Sequence, residues 1–180
     1  MKWIPIVVFA FLSVMANTVC AETYHDMFIT LEIPNNFVGP EFDNGIPYAT
    51  RVFYKKAHAD KKKSAMLQIT TYDFGPKMPE ITEDESGSAA DKYLNQFLKE
   101  ETKHRSRFMA ARPKRVELAG YPASRVAWSA NLDGHPVIGV TFCVIVKGKI
   151  VNLQAQDMKE TSAADLNAAI DAINAVRFNR

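Results

Sequence analysis

The residues of this sequence best suited to recognition are six cations that fall within one short segment. They are Lys103, Arg105, Arg107, Arg112, Lys114 and Arg115. Clustered arginine and lysine attract anions, so the segment predicts a patch for an acidic partner or for anionic lipid head groups. A second basic group has the same interpretation and comprises Lys55, Lys56, Lys61, Lys62 and Lys63. Ordinary solvated surface is the alternative for both groups.

A row of amides is the second candidate for ligand binding. Asn152, Gln154 and Gln156 alternate with apolar residues, so they share one face of a predicted strand. If the strand that contains Gln68 and Thr70 pairs beside it, these side chains form one polar face. The hypotheses are a ligand groove or the solvated half of a sheet.

Catalytic motifs are absent from the sequence, which contains no nucleophile elbow, P-loop, HExxH helix or CxxC pair. The four histidines, at 25, 58, 104 and 135, show no ligand spacing. We therefore predict no catalytic residue, no cofactor and no metal ligand, and a protein that is not an enzyme. Two alternatives are a weak metal site at His25 and Asp26, and a calcium site on an acidic loop at Glu80 and residues 83–85.

Composition limits the possible classes of protein. The chain has 180 residues, a net charge of +2 and 47% apolar residues, which favours one globular domain over a disordered chain. The near-neutral charge gives no sign of nucleic-acid binding. Two cysteines are too few for a disulfide scaffold or a four-cysteine zinc site.

The N-terminus is typical of an export signal. Lys2 precedes an apolar run over residues 4–15, which is too short to span a bilayer, and Val19 and Ala21 are small. We predict cleavage between Ala21 and Glu22, a single domain over residues 22–180, a periplasmic or secreted location, and no transmembrane span after processing.

Two alternatives to cleavage after Ala21 remain, an uncleaved anchor and a lipoprotein acylated at Cys20. Lipobox sequences have a small residue before the cysteine and usually leucine at −3, and Val19 and Asn17 stand there instead. After processing, Cys143 is the single thiol, and its place in the apolar run 141–146 predicts burial in a strand.

The elements that must position these residues follow from periodicity and turn residues. Strands are predicted over 27–33, 48–54, 65–74, 115–119, 123–130, 136–146 and 150–156, with loops over 34–47 and 75–88. A helix is predicted over 89–102, capped by Ser88 with Asp91, and a second after a cap at Ser162. Residues 137–146 are apolar on both faces, so the predicted fold is α+β: an antiparallel β-sheet flanked by helices on both faces, an α/β/α sandwich.

Several of these segments resemble the PsbP/DcrB-like group. They are the processed leader, IPNNF at 33–37, VELAGYPASRV at 116–126, VIVKGKI at 144–150 and the terminal helix. The group includes the extrinsic PsbP subunit of photosystem II, a Ran-binding nuclear-import factor and bacterial periplasmic proteins. The resemblance, over about residues 27–178, implies an α/β/α sandwich and a binding or assembly role, and it assigns no functional residue.

The sequence as a whole predicts an exported, non-catalytic binding or accessory protein. Its expected partner is another protein or an anionic surface in the envelope, and nucleic acid is not expected. A small-ligand or metal-ion carrier is the first alternative, and an enzyme of unrecognised type is the second.

Overall fold

The computed structural model describes residues 22–55, 65–161 and 163–179. The predicted signal peptide, all of the second basic group except Lys55 and the predicted cap at Ser162 lie outside these residues. The strands are β1 (Glu22–His25), β2 (Ile29–Ile33), β3 (Phe37–Asn44), β4 (Tyr48–Lys55), β5 (Met66–Tyr72), β6 (Ser106–Ala110), β7 (Lys114–Leu118), β8 (Tyr121–Leu132), β9 (His135–Val146), β10 (Lys149–Met158) and β11 (Arg177–Phe178). The helices are α1 (Glu83–His104) and α2 (Ala163–Asn174), and Gly75–Lys77 forms one 3-10 turn.

Most strands form one large antiparallel sheet. Its order is β3-β4-β5-β10-β9-β8-β6, and β7 also pairs with β8. The three long strands β8, β9 and β10 are joined by two-residue turns, and Asp133, Gly134, Lys147 and Gly148 all have positive φ there. Both turns are therefore of the kind that matches strand twist in hairpins. The strands β1, β2 and β11 form a separate small sheet in the order β1-β2-β11.

The two faces of the large sheet are covered by different elements. On one face, Leu94 and Leu98 of α1 pack in a cluster that includes Val126, Trp128 and Cys143. On the other face, α2 and the small sheet pack over the larger cluster, which includes Phe142 and Leu153. Full burial of each leucine contributes about 1.5–3 kcal/mol. The predicted α+β sandwich, with helices on both faces, is confirmed.

The predicted loop over 34–47 is wrong, because Phe37–Asn44 forms the edge strand β3. Proline and glycine argue against a central strand, but an edge strand needs only one partner and tolerates proline at a bulge. The register with β4 shifts between Val38 and Glu41, and Pro40 lies in that irregular stretch.

The predicted start of the first helix is also wrong, because α1 begins at Glu83 rather than at residue 89. The Glu85 carboxylate accepts hydrogen bonds from the Thr82 backbone N–H (3.2 Å) and hydroxyl (2.9 Å). Three acidic residues of the predicted loop thus form the first helical turn, where the helix dipole favours negative charge. The Ser88 hydroxyl instead donates to the Glu85 carbonyl within the helix.

Candidate functional site

The amide row lies on the face of the large sheet that α1 covers. β10 pairs with β5, and Asn152 lies opposite Thr70 and Gln154 opposite Gln68. Gln68 is half-buried, and its Nε2 donates to Thr70 Oγ1 at 3.1 Å. The polar side chains at 152, 154 and 156 are all buried. The predicted solvated half-sheet is therefore not observed.

Two of the amides are bonded inside the protein. Trp128 Nε1 donates to Thr141 Oγ1 at 2.9 Å, and that hydroxyl lies 3.4 Å from Gln154 Oε1. Arg105 Nη1 donates to Gln156 Oε1 at 2.6 Å. These contacts hold Gln154 and Gln156 in the interior between α1 and the sheet, whereas Asn152 lines a cavity.

That cavity, named here the helix cavity, has a volume of about 330 Å³ and lies between α1 and the ends of β5 and β10. Its lining residues are Tyr72, Phe74, Tyr93, Gln96, Phe97, Glu100, Glu101, His104, Ile150 and Asn152. Residues three and four apart on a helix share one face, which explains how α1 contributes six of them. Four of the ten are aromatic.

Aromatic contacts hold one side of the helix cavity. The Tyr72 and Phe74 rings stack with their centroids 6.4 Å apart and 8° between their planes. The centroid of the Tyr48 ring lies 6.4 Å from that of the Tyr72 ring. The Tyr93 hydroxyl donates to the Met78 sulfur at 4.0 Å. These contacts restrict the positions of Tyr72 and Tyr93 in the cavity wall.

The carboxylates that line the helix cavity are those of Glu100 and Glu101. Glu101 pairs with Arg105 at 2.5 Å, and Glu100 pairs with Lys103 at 2.7 Å. Burial raises the pKa of Tyr72, and the negative charge of Glu101 raises it further. Asn152 Oδ1 is buried and has no hydrogen-bond partner among the described residues. An unpaired buried carbonyl costs free energy.

Cys143 lies opposite Asn152 on the neighbouring strand β9. It is fully buried, which confirms the predicted core position. Burial raises the pKa of the thiol to about 12. The group is thus protonated at neutral pH and cannot act as a thiolate nucleophile.

A second cavity, named here the end cavity, has a volume of about 540 Å³ and lies between the β1–β2 turn and the start of β4. Arg51 Nη2 pairs with Asp26 at 2.5 Å, and Arg51 Nε donates to the Tyr24 hydroxyl at 3.0 Å. Lys149 pairs with Asp73. The rim of the end cavity includes Met27 and Ile46, which are nearly fully exposed.

The alternative metal site at His25 and Asp26 gains no support from these contacts. The Asp26 carboxylate is bonded to Arg51, Tyr24 and two backbone N–H groups, and His25 Nδ1 lies 2.8 Å from Thr30 Oγ1. In the parts of the chain that the structure describes, no group of three or more His, Cys, Asp or Glu residues is placed to hold a metal ion.

The six cations of the basic segment have different environments. Arg105 is half-buried, and its guanidinium lies 4.5 Å from the centroid of the Trp128 ring. Arg115 pairs with Asp91 at 3.0 Å. The other members are exposed, namely Lys103, Arg107, Arg112 and Lys114. Arg105 is thus part of the packing between α1 and the sheet. Of the second basic group, only Lys55 lies within the described residues, where it pairs with Asp165.

No protein-family profile and no curated protein matches the sequence of this chain. Solved structures do match it. PsbP (CyanoP) of Synechocystis sp. PCC 6803 has a TM-score of 0.58 at 8% identity, with 91% of this chain and 95% of that chain covered. The chain has the PsbP-like fold. The resemblance seen in the sequence is therefore confirmed at the level of the fold.

Two other solved structures share the PsbP-like fold. LpqN of Mycobacterium tuberculosis, described as involved in cell envelope biogenesis, has a TM-score of 0.52 at 15% identity and covers 91% of this chain and 88% of its own. PA94 of Pseudomonas aeruginosa, a protein of unknown function, has a TM-score of 0.52 at 12% identity, and the match covers 86% of this chain and 94% of PA94. None of these three proteins is described as an enzyme. Neither helix in the described residues is long and apolar enough to cross a membrane.

Most of the helix cavity was missed by the sequence analysis. The apolar stripe at 93, 94, 97 and 98 continues at helical spacing into Glu100, Glu101 and His104. That change from apolar to charged residues along one helical face was the available signal. Tyr72 and Phe74 lay in a predicted strand, and nothing local indicated that they meet α1.

Proposed function

We propose that this chain is an exported, non-catalytic binding protein of the cell envelope whose ligand site is the helix cavity. The main observation behind the proposal is the cavity itself: about 330 Å³ of space bordered by four aromatic rings and by polar side chains that include Asn152. Ligand sites are concave, largely apolar, and have a few fixed polar groups. The predicted leader and the likeness of the fold to LpqN and CyanoP support an envelope location.

The side chains of the helix cavity favour binding over catalysis. Its lining contains no serine, threonine, cysteine or lysine to serve as a nucleophile. The buried Cys143 thiol is protonated. A chamber that can enclose a ligand but offers no activated nucleophile is suited to carrying or presenting it.

An accessory role through a protein partner is the second candidate. Arg107, Arg112 and Lys114 are exposed within the basic segment, so an acidic partner or an anionic surface can reach them. Exchange of these three residues for glutamine should weaken such an association and leave the helix cavity intact. No change in association after the exchange would remove the basic segment from the proposal.

Export is tested by cell fractionation and mass measurement of the N-terminus. We expect a protein that begins at Glu22 outside the cytoplasm. Ala21→Asp should leave the leader attached, because signal peptidase requires a small residue at that position, while Glu22→Gln should be processed normally. A soluble cytoplasmic protein that retains Met1 contradicts the proposal.

Ligand occupancy is tested by photo-crosslinking in living cells. A photoreactive phenylalanine analogue at Phe74, a lining residue that is 38% exposed, should form a defined adduct. The same analogue at Phe42, which is 61% exposed on the edge strand β3, is the matched control. Equal adducts at both positions, or none at Phe74 across several growth conditions, would refute the helix cavity as the site.

A further inference from the structure

The charge pattern of the helix cavity is one-sided. Two carboxylates, those of Glu100 and Glu101, line it. Their cationic partners, Lys103 and Arg105, are not among the lining residues. Each carboxylate has about four lone-pair sites, so its ion pair leaves capacity for a further donor. The helix cavity thus presents acceptors where a ligand would lie.

Two further features of the helix cavity make it favourable for positive charge. Its lining includes the last turn of α1, from Glu101 to His104, and the carbonyl end of a helix carries roughly half a negative charge. The four lining rings, Tyr72, Phe74, Tyr93 and Phe97, have electron-rich faces, which attract cations within about 6 Å. His104 at the rim is the one lining side chain able to carry positive charge.

We propose that the helix cavity binds an organic primary ammonium group, which deepens and rests on the binding function proposed above. The ammonium N–H groups donate to Glu101 and Glu100, and the attached carbon chain packs on the aromatic rings. An anion is disfavoured, because the same acceptors repel it. The ammonium can belong to a free amine or to a lysine side chain of a partner, and the chemistry of recognition is the same.

Calorimetric titration of the purified protein, in the processed form in which it accumulates, tests the charge requirement. The probes are pentylamine and its uncharged analogue pentan-1-ol, near neutral pH and at low salt. We expect pentylamine to bind at least tenfold more tightly than the alcohol and to raise the melting temperature, since a ligand of the native state stabilises it. Equal affinities for the two probes, or no binding of the amine, overturn the proposal.

Two variants locate the binding. Phe74→Leu keeps an apolar side chain but removes a ring, and Glu100→Gln removes one exposed charge. Each should weaken pentylamine binding about two- to fivefold, the range for exposed cation–π contacts and exposed ion pairs. The matched controls are Phe42→Leu and Glu117→Gln, at exposed positions that do not line the cavity. Equal weakening by variants and controls would overturn the assignment to this cavity.

The source of the ammonium is distinguished by two further probes. Nα-acetyl-lysine amide carries the free side-chain ammonium, and its Nε-acetylated form does not. Tighter binding of the first than of pentylamine indicates a lysine of a protein partner, and weaker binding indicates a free amine. If Phe74 forms a crosslinked adduct in cells but no amine binds, the binding function stands and the ammonium proposal fails. If amines bind but no adduct forms, the failure lies in the cellular function.

Discussion

A substitution at Gly139 of β9 tests the position of the Trp128 indole. The two residues are directly opposite on β8 and β9, and the ring lies across the glycine. A Cβ atom at residue 139 would lie 2.3 Å from Trp128 Cζ2 and 2.8 Å from the Ala155 carbonyl oxygen. Real Cβ atoms do not approach other atoms so closely, so Gly139→Ala must displace the ring or bend the sheet.

The free energy of unfolding that Gly139→Ala removes is the sum of the overpacking and of the contacts that a displaced indole loses. Overpacking of a core by one methyl costs about 1–3 kcal/mol, and loss of the hydrogen bond from Trp128 Nε1 to Thr141 adds about 0.5–1.5 kcal/mol. The stack of Trp128 on Phe108, with centroids 5.8 Å apart, and the contact with Arg105 are disturbed as well. We expect a loss of about 3 kcal/mol, which lowers the melting temperature of a domain of this size by about 6–12 °C.

Thermal and urea unfolding followed by tryptophan fluorescence measure this loss. Trp3 and Trp128 are the only tryptophans, and Trp3 lies in the predicted leader, so emission from the processed protein reports on Trp128. The matched control is Gly87→Ala in α1, where a Cβ atom meets only ordinary contacts, with Pro122 Cβ at 3.6 Å. It should stabilise the protein by about 0.5–1 kcal/mol. Unchanged melting and unchanged emission for Gly139→Ala would refute the placement of the indole.

Three further predictions concern pH, the thiol and the helix start. Burial by itself raises the pKa of Asp26, but backbone N–H donors and Arg51 outweigh it and hold the pKa below its ordinary value. Such a carboxyl stabilises the fold above its unfolded pKa and loses that contribution as the pH falls through the lowered value. Asp26→Asn should thus cost about 1 kcal/mol in urea unfolding near pH 7 and much less near pH 2, and an equal cost at both contradicts this. Cys143 should not react with a thiol reagent near pH 8 until urea unfolds the protein; rapid labelling of the native state shows that it is accessible. Thr82→Ala should cost about 0.5–1 kcal/mol, whereas Ser88→Ala should cost nothing. A larger loss of stability for Ser88→Ala than for Thr82→Ala would place the start of α1 at residue 89.

The sequence alone determined the class of fold. Alternation of apolar residues predicted the strands of the β8–β10 meander, the two-sided apolar run of β9 predicted cover on both faces, and Cys143 was correctly placed in the core. These features are encoded locally, because side-chain periodicity reports directly on which faces are buried. The hypothesis that the strand of Asn152 lies beside the strand of Gln68 and Thr70 agrees with the pairing of β10 and β5, but the register came from the structure.

Tertiary structure decided the start of α1, the edge strand β3 and the helix cavity. Thr82 and Ser88 are both suitable caps. The helix begins after Thr82, and the residues between the two caps include Ser86 and Gly87, which are buried. Edge pairing with β4 made a strand from a segment rich in proline and glycine. The helix cavity joins Tyr72 and Phe74 to Glu100 and Glu101, groups that lie far apart in sequence. Such a site arises only when a helix docks on a sheet, because no local pattern specifies which distant side chains the docking brings together.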